Sequence, residues 1–384
     1  MTISLLNQWF NTYKESSLSH RYITHDHINP LLKKHNSAFE IKSIGESVLG
    51  ESIEVILLGT GQTKIFMWSQ MHGNESTTTK ALFDLLNVLK HCDDHHIKCI
   101  LKSCTLAIIP MLNPDGAKAY TRVNANEIDL NRDAQDQSQP ESRVLMNFYQ
   151  SFKPDFCFNL HGQRTIFSAG KTNKSATVSF LAPAQDECCT VTENRKKAME
   201  IIAQMNSVLQ EEIPNQVGVY DDSFNINCVG DTFQSDNVPT ILFEAGHYAK
   251  DYPREVTRRF IFKSLLVGIH YIATVEVKGG GFQEYFKIPQ NEKLFFDIII
   301  RNAQTLYGNL DIAILFQEKL IENCIQFVPI VEKIEDLNGF YGHKEINAKE
   351  NKVLKANSEP LKVGDEIDFV SINSENFSLI LKNI

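Results

Sequence analysis

From about residue 38 onward, solid apolar runs alternate with segments whose apolar residues recur at helical spacing. FEIKSIGESVLGESIEVILLGTG predicts a strand, a turn and a second strand. KIFMWSQM predicts a buried strand, ALFDLLNVLK a helix and CTLAIIPML another strand. After a polar, Asn-rich loop, PESRVLMNFYQSF is helical and DFCFNL is a short strand ending at His161. VTENRKKAMEIIAQMNSVLQEEI and REVTRRFIFKSLLVGIHYIATV read as long helices flanking the buried strand VPTILFEAG. Such alternation, with strands apolar along their length, implies an α/β fold: a mixed, mostly parallel central sheet with helices on both faces. Gly279-Gly280-Gly281 then interrupts the pattern, and FFDIII, DIAILF, IQFVPIVE, DEIDFV and FSLIL predict a small β-rich C-terminal domain. Two domains are therefore expected, 1–278 and 282–384, and no motif in the second connects to chemistry.

Bulk properties narrow the function. The 384 residues are 42% hydrophobic and 22% charged, with a net charge of −9 and no Lys/Arg-rich block, which argues against nucleic acid as the main partner. No apolar run approaches a membrane span, and MTISLLNQWFNTYKESS lacks the basic and apolar regions of a secretory signal, so a cytoplasmic protein is expected. None of the eight cysteines forms a Cys-x-x-Cys pair, which disfavours a zinc ribbon and suits free thiols in a reducing compartment. A metal in this chain would bind through His and carboxylate.

His72-Gly73-Asn74-Glu75 stands between the strand KIFMWSQM and the helix opened by STTTKALFDLLNVLK, whose hydroxyls read as caps. On such a turn both side chains can converge, making two thirds of a His₂Glu catalytic zinc site. Ligands of open α/β sheets bind at the carboxyl ends of the strands. His161 and Glu244 also end strands, and the loop leaving CTLAIIPML carries Arg122 and Arg132 over the same edge.

SQMHGNE, IPMLNPDG, RVNANEIDLNR, NLHG and ILFEAG, in this order over roughly residues 38–270, resemble the zinc metallocarboxypeptidases of the carboxypeptidase A/B type. The HGNE and LNPDG forms are similar to the carboxypeptidase E and N branch. The resemblance implies one zinc ion per chain, held by His72, Glu75 and His161, with an open position for water. It implies that Asp129 orients the first ligand histidine and that Glu244 is the general base. Arg122 would stabilise the oxyanion, and Asn131 with Arg132 would grip the terminal carboxylate of a peptide or peptide-like substrate.

The chain also departs from the family. No Tyr aligns with the mobile one that usually precedes the base; Tyr220 is the nearby substitute, otherwise a surface loop residue. Only 28 positions separate Arg132 from His161, so a loop is trimmed and a more open funnel is expected, suited to bulky substrates such as cell-wall peptides. Asp133 either adds negative charge to the pocket or caps a turn, and Asp231 is a candidate for the pocket floor. Aspartoacylase and succinylglutamate desuccinylase are similar in HGNE, DLNR and a β-rich tail, which keeps hydrolysis of a small N-acyl amino acid as an alternative. A catalytically inactive zinc- or peptide-binding protein is the other.

Overall fold

The computed structural model describes residues 1–381; positions 382–384 of the expected β-rich segment lie outside the described residues. Helices α1 (Ile3–Tyr13) and α2 (His25–His35) precede strands β1 (Glu40–Glu46), β2 (Ser52–Leu58) and β3 (Thr63–Ser69). Then follow α3 (Thr77–His91), α4 (His95–Ser103), β4 (Cys104–Ile109), α5 (Pro114–Ala119), α6 (Pro140–Phe152) and β5 (Phe156–Gly162). After β6 (Phe167–Ala169) and β7 (Val178–Leu181) come α7 (Glu193–Leu209), β8 (Val217–Val219), α8 (Val229–Ser235), β9 (Thr240–Ala245) and α9 (Glu255–Thr274).

The main sheet runs β1-β2-β4-β3-β5-β9-β7-β8. Strands β4, β3, β5 and β9 are mutually parallel, while β1, β2 and β7 enter antiparallel, so the expected mixed, mostly parallel sheet is present. Its central strands β3, β4, β5 and β9 are apolar on both sides because both faces are covered. Ile65 and Met67 of β3 and Phe158 and Leu160 of β5 join one core with α1, α2, α3, α4, α7 and α9. Phe66, Trp68 and Cys157 join the other with α6 and α8. The helices α1, α2 and α4 and the short strands β6, β7 and β8 lie outside the elements that periodicity predicted.

Residues 282–293 pack onto this α/β unit. Tyr285 and Ile288 belong to its core, and β10 (Asn291–Lys293) pairs with β6. A separate core begins at β11 (Phe295–Thr305), which joins β12 (Gly308–Ile321), β13 (Cys324–Glu335) and β14 (Tyr341–Asn347) in a four-stranded sheet. A three-stranded sheet of β15 (Val353–Leu354), β16 (Phe369–Ile372) and β17 (Glu375–Ser378) completes it, as the β-rich texture predicted. No helix among the described residues is long and apolar enough to cross a membrane. All eight cysteines are free thiols.

His35 on α2 is fully buried and stacked on Phe39, with ring centroids 5.7 Å apart. Neither ring nitrogen has a hydrogen-bond partner among the described residues. Burial, helped by the nearby Lys90 and Lys34, pushes its pKa from the ordinary 6.5 down to about 4. The unfolded chain therefore takes up this proton near pH 6.5 and the folded chain only near 4. The stability that neutral His35 contributes is complete above pH 6.5 and is lost as pH falls through that window. Urea denaturation at pH 7 and pH 5 should show the wild type losing on the order of 1–2 kcal/mol more than His35→Phe. Equal losses in the two proteins would exonerate this imidazole.

Candidate metal centre

The site forms where β3, β5 and β9 end. The chain leaves β3 through Gln70, whose φ is +49°, and turns immediately beneath α5. Gly73 touches that helix so closely that a Cβ would lie 1.9 Å from the Gly116 carbonyl carbon. Only glycine permits this approach. Asn113 accepts from the Gly116 N–H at 2.8 Å and donates to the Met71 carbonyl at 3.1 Å, so HGNE and LNPDG hold each other in place. The hydroxyls that open α3 do not cap it, contrary to expectation: Ser76 makes no side-chain cap bond. Thr78 and Thr79 instead meet Ser69 at 2.7 and 2.8 Å, tying the helix to the end of β3.

His72, Glu75 and His161 converge, one donor atom from each lying within 4.8 Å of the others. Nδ1 of His72 is 3.0 Å from Nδ1 of His161, and the two Glu75 oxygens lie 2.9 and 3.0 Å from these nitrogens. On the far side of its ring, His72 Nε2 meets Asp129 Oδ1 at 3.1 Å, which leaves Nδ1 to face inward. Burial depresses the His72 pKa, but the Glu75 and Asp129 carboxylates outweigh it and hold it above the ordinary value. Burial likewise opposes ionisation of Glu75, and His72 and His161 overcome it, keeping the carboxyl well below its usual range. Two inward nitrogens three ångströms apart with a carboxylate on both suit a cation at their centre. This donor set fits zinc.

Asp129 also accepts from Arg122 Nε at 3.0 Å, and its backbone partner Asn131 donates to Oδ1 at 2.9 Å. Arg122 Nη1 lies 3.2 Å from His72 Nδ1 and 3.5 Å from Glu75, placing the guanidinium against the centre. Parallel pairing of β5 with β9 sets Glu244 opposite His161. The Glu244 carboxyl is buried, with one oxygen lacking any partner among the described residues. Burial, then repulsion from Glu75, pushes its pKa well above the usual carboxyl value despite Arg122 and Arg254.

One cavity of about 960 Å³ is lined by His72, Glu75, His161, Arg122 and Glu244. Asn131 and Arg132 line it too, and Asn131 Oδ1 accepts from the Val229 N–H at 3.1 Å, leaving its amide hydrogens for an anion. Asp231 lines the cavity near this end, its pKa pushed up to about 6 by burial. Asp133 does not line it. Its carboxylate accepts from Ser138 and Gln139, so the turn-capping alternative holds. Tyr220 lines the cavity rather than projecting from a surface loop, packed on Phe167 at 5.4 Å. Arg21, Arg164, Lys293 and Glu318 are lining residues that no motif signalled, because they reach the cavity from separate loops and strands.

A family model described as zinc carboxypeptidase matches residues 24–292. Carboxypeptidase SOL1 of Arabidopsis thaliana is 30% identical over 169 residues, covering 38% of this chain and 34% of that protein. Carboxypeptidase M of Mus musculus is 27% identical over 182 residues, 40% of this chain and 41% of that protein. The matches thus span less than half the length of these curated relatives. Among solved structures, carboxypeptidase A from Helicoverpa armigera shares the fold at 16% identity and a TM-score of 0.53, over 71% of this chain and 80% of that one. A Pseudomonas aeruginosa metallo-carboxypeptidase, in complex with (2-guanidinoethylmercapto)succinic acid, gives 17% and 0.52 over 65% and 69%.

Metal analysis of the purified chain should find zinc at one ion per chain, falling to background in His161→Ala. Asp129→Ala should bind zinc about 10–100-fold more weakly in competition with a chelator. Unchanged zinc content in His161→Ala would overturn the ligand set.

Proposed function

The chain belongs to the zinc carboxypeptidase family, and on that premise we propose that it is a metallocarboxypeptidase. It hydrolyses the C-terminal peptide, or peptide-like amide, bond of a substrate with a free terminal carboxylate. One observation carries this reading. The His72–Glu75–His161 cluster, the unpartnered Glu244 carboxyl, Arg122 and the Asn131–Arg132 pair all face one cavity.

A zinc ion held by His72, Glu75 and His161 would acidify a water molecule and polarise the scissile carbonyl. Asp129 fixes which nitrogen of His72 faces inward. Glu244 takes a proton from the water as its oxygen bonds to the carbonyl carbon. It then gives that proton to the nitrogen as the C–N bond breaks. A carboxyl raised by burial suits both halves of this exchange, since it accepts readily and is poised to donate. The oxyanion that forms in between meets the Arg122 guanidinium, which Asp129 steadies in place. Asn131 and Arg132 hold the substrate's terminal carboxylate, the planar fork of the arginine meeting its two oxygens.

Glu244→Gln should retain zinc while kcat falls about 10²–10⁴-fold. Arg122→Gln should lower it about 10²–10³-fold. The assay is amino-acid release from a panel of C-terminal peptides, run beside N-acyl amino acids. Release from the N-acyl compounds alone would replace this reading with an aspartoacylase-like one. Zinc binding without any hydrolysis would point to a binding protein.

A further inference from the structure

The cavity is not walled by the α/β unit alone. Phe316, Gln317 and Glu318 of β12 and Lys293 at the end of β10 line it, and all lie past residue 292, where the family match ends. This wall is firmly mounted. Glu318 pairs with Arg21 at 2.9 Å and accepts from the Tyr120 hydroxyl. Asp297 on β11 accepts from the Tyr252 hydroxyl at 2.9 Å and from the Phe316 N–H at 2.8 Å. Asn291 donates to Gln163 at 2.9 Å, and Lys293 lies in register with Phe167 across the β6–β10 pair.

Charge on the wall is unbalanced. Glu318 is engaged by Arg21 and Tyr120. Among the described residues Asp221 accepts only from Ser223 and keeps its charge, while Asp231 stands at the opposite, Asn131 end. Arg254 is buried and donates to the carbonyls of Gln163, Ala245 and Gly246. Arg122 pairs with Asp129. Arg164 and Lys293, by contrast, are exposed in the cavity, and neither head group has an ion pair or hydrogen bond among the described residues. In a chain of net charge −9, two cations lacking partners outnumber the single free carboxylate among the described residues on this side of the cavity, Asp221, and the surplus favours an anion from elsewhere.

The position of that anion follows from the carboxypeptidase reading, on which this inference rests. Arg132 neighbours Asn131, which is bound to the start of α8, whereas Arg164 follows β5 on the side of β6, where Phe167 packs on Tyr220. With the terminal carboxylate at Asn131–Arg132 and the scissile carbonyl at the metal centre, the acyl part of the substrate runs toward Arg164 and Lys293. We propose that these two residues form an acyl-side subsite for an anionic group. The preferred substrates then carry an Asp or Glu side chain, or another carboxylate, N-terminal to the scissile bond. The β-rich domain completes the subsite by presenting the Phe316–Glu318 wall, opposite a β10 that is held by β6 and Gln163 of the α/β unit.

The test uses the zinc-loaded full chain and peptides sharing one C-terminal residue, with Glu, Ala or Lys before the scissile bond. The kcat/KM ratio of the Glu to the Ala peptide should be about tenfold, and larger against Lys, as two exposed charge contacts allow. The ratio should fall toward one in the Arg164→Gln/Lys293→Gln double variant and at high salt. Being a ratio within one protein, it is insensitive to partial loss of folded enzyme. Equal rates across the panel, or a preference that survives in the double variant, would overturn the subsite. Peptide binding to Glu244→Gln protein, followed by fluorescence anisotropy, separates the two readings. Charge-selective binding without wild-type turnover removes the hydrolase and keeps the subsite; binding blind to charge removes the subsite.

Discussion

Because β5 pairs in parallel with β9, with His161 opposite Glu244, and β3 pairs with β5, with Ser69 opposite Leu160, three side-chain sources leave the sheet at one edge. A slip of one residue in either pairing would turn every side chain to the opposite face. The register is held by the two cores, which accept Ile65, Met67 and Phe158 on one side and Phe66, Trp68 and Cys157 on the other. Site geometry is thus a consequence of apolar packing. The polar groups at the strand ends inherit positions that the buried residues before them define.

Buried charge provides a second constraint and links the N-terminal segment to the site. Asp84 on α3 and Arg258 on α9 are both fully buried and meet at 2.6 Å. Arg258 also donates to the carbonyls of Leu18 at 2.6 Å and Glu15 at 2.8 Å. Removing one member of such a pair typically costs about 3–5 kcal/mol, because the other remains buried without its counter-charge. The same network anchors the stretch after α1, which carries Arg21 to the cavity wall and onto Glu318 of β12. Sheet, N-terminal segment and β-rich domain are therefore joined through the rim of one cleft.

In the proposed mechanism, burial and charge divide the chemistry between Glu244 and Arg122. Both stand beside the ligand cluster, yet Glu244 is enclosed and pushed toward its neutral form, while Arg122 is half exposed and held by Asp129. A group that exchanges a proton gains from the first environment, and a group that must stay charged from the second.

The core strands and long helices were legible because their apolar periodicity is strong. The site motifs were legible because the proposed metal binding and carboxylate recognition restrict residue type: His72 and Glu75 on the turn after β3, His161 near the end of β5, Arg122, Asn131 and Arg132 on one loop. Gly73 and Gly116 belong to those motifs, but their mutual contact appears only in three dimensions. Tyr220 carried no spacing signal, and Asp133 was ambiguous until its hydrogen bonds with Ser138 and Gln139 resolved it. Arg21, Arg164, Lys293 and Glu318 were invisible for a physical reason. They come from four distant segments, and an isolated charged residue reads as solvated surface until the fold encloses it. Local chemistry and periodicity thus determined the sheet and the candidate site groups. Tertiary packing alone decided the shape and charge of the cleft around them, because those depend on which remote segments share a wall.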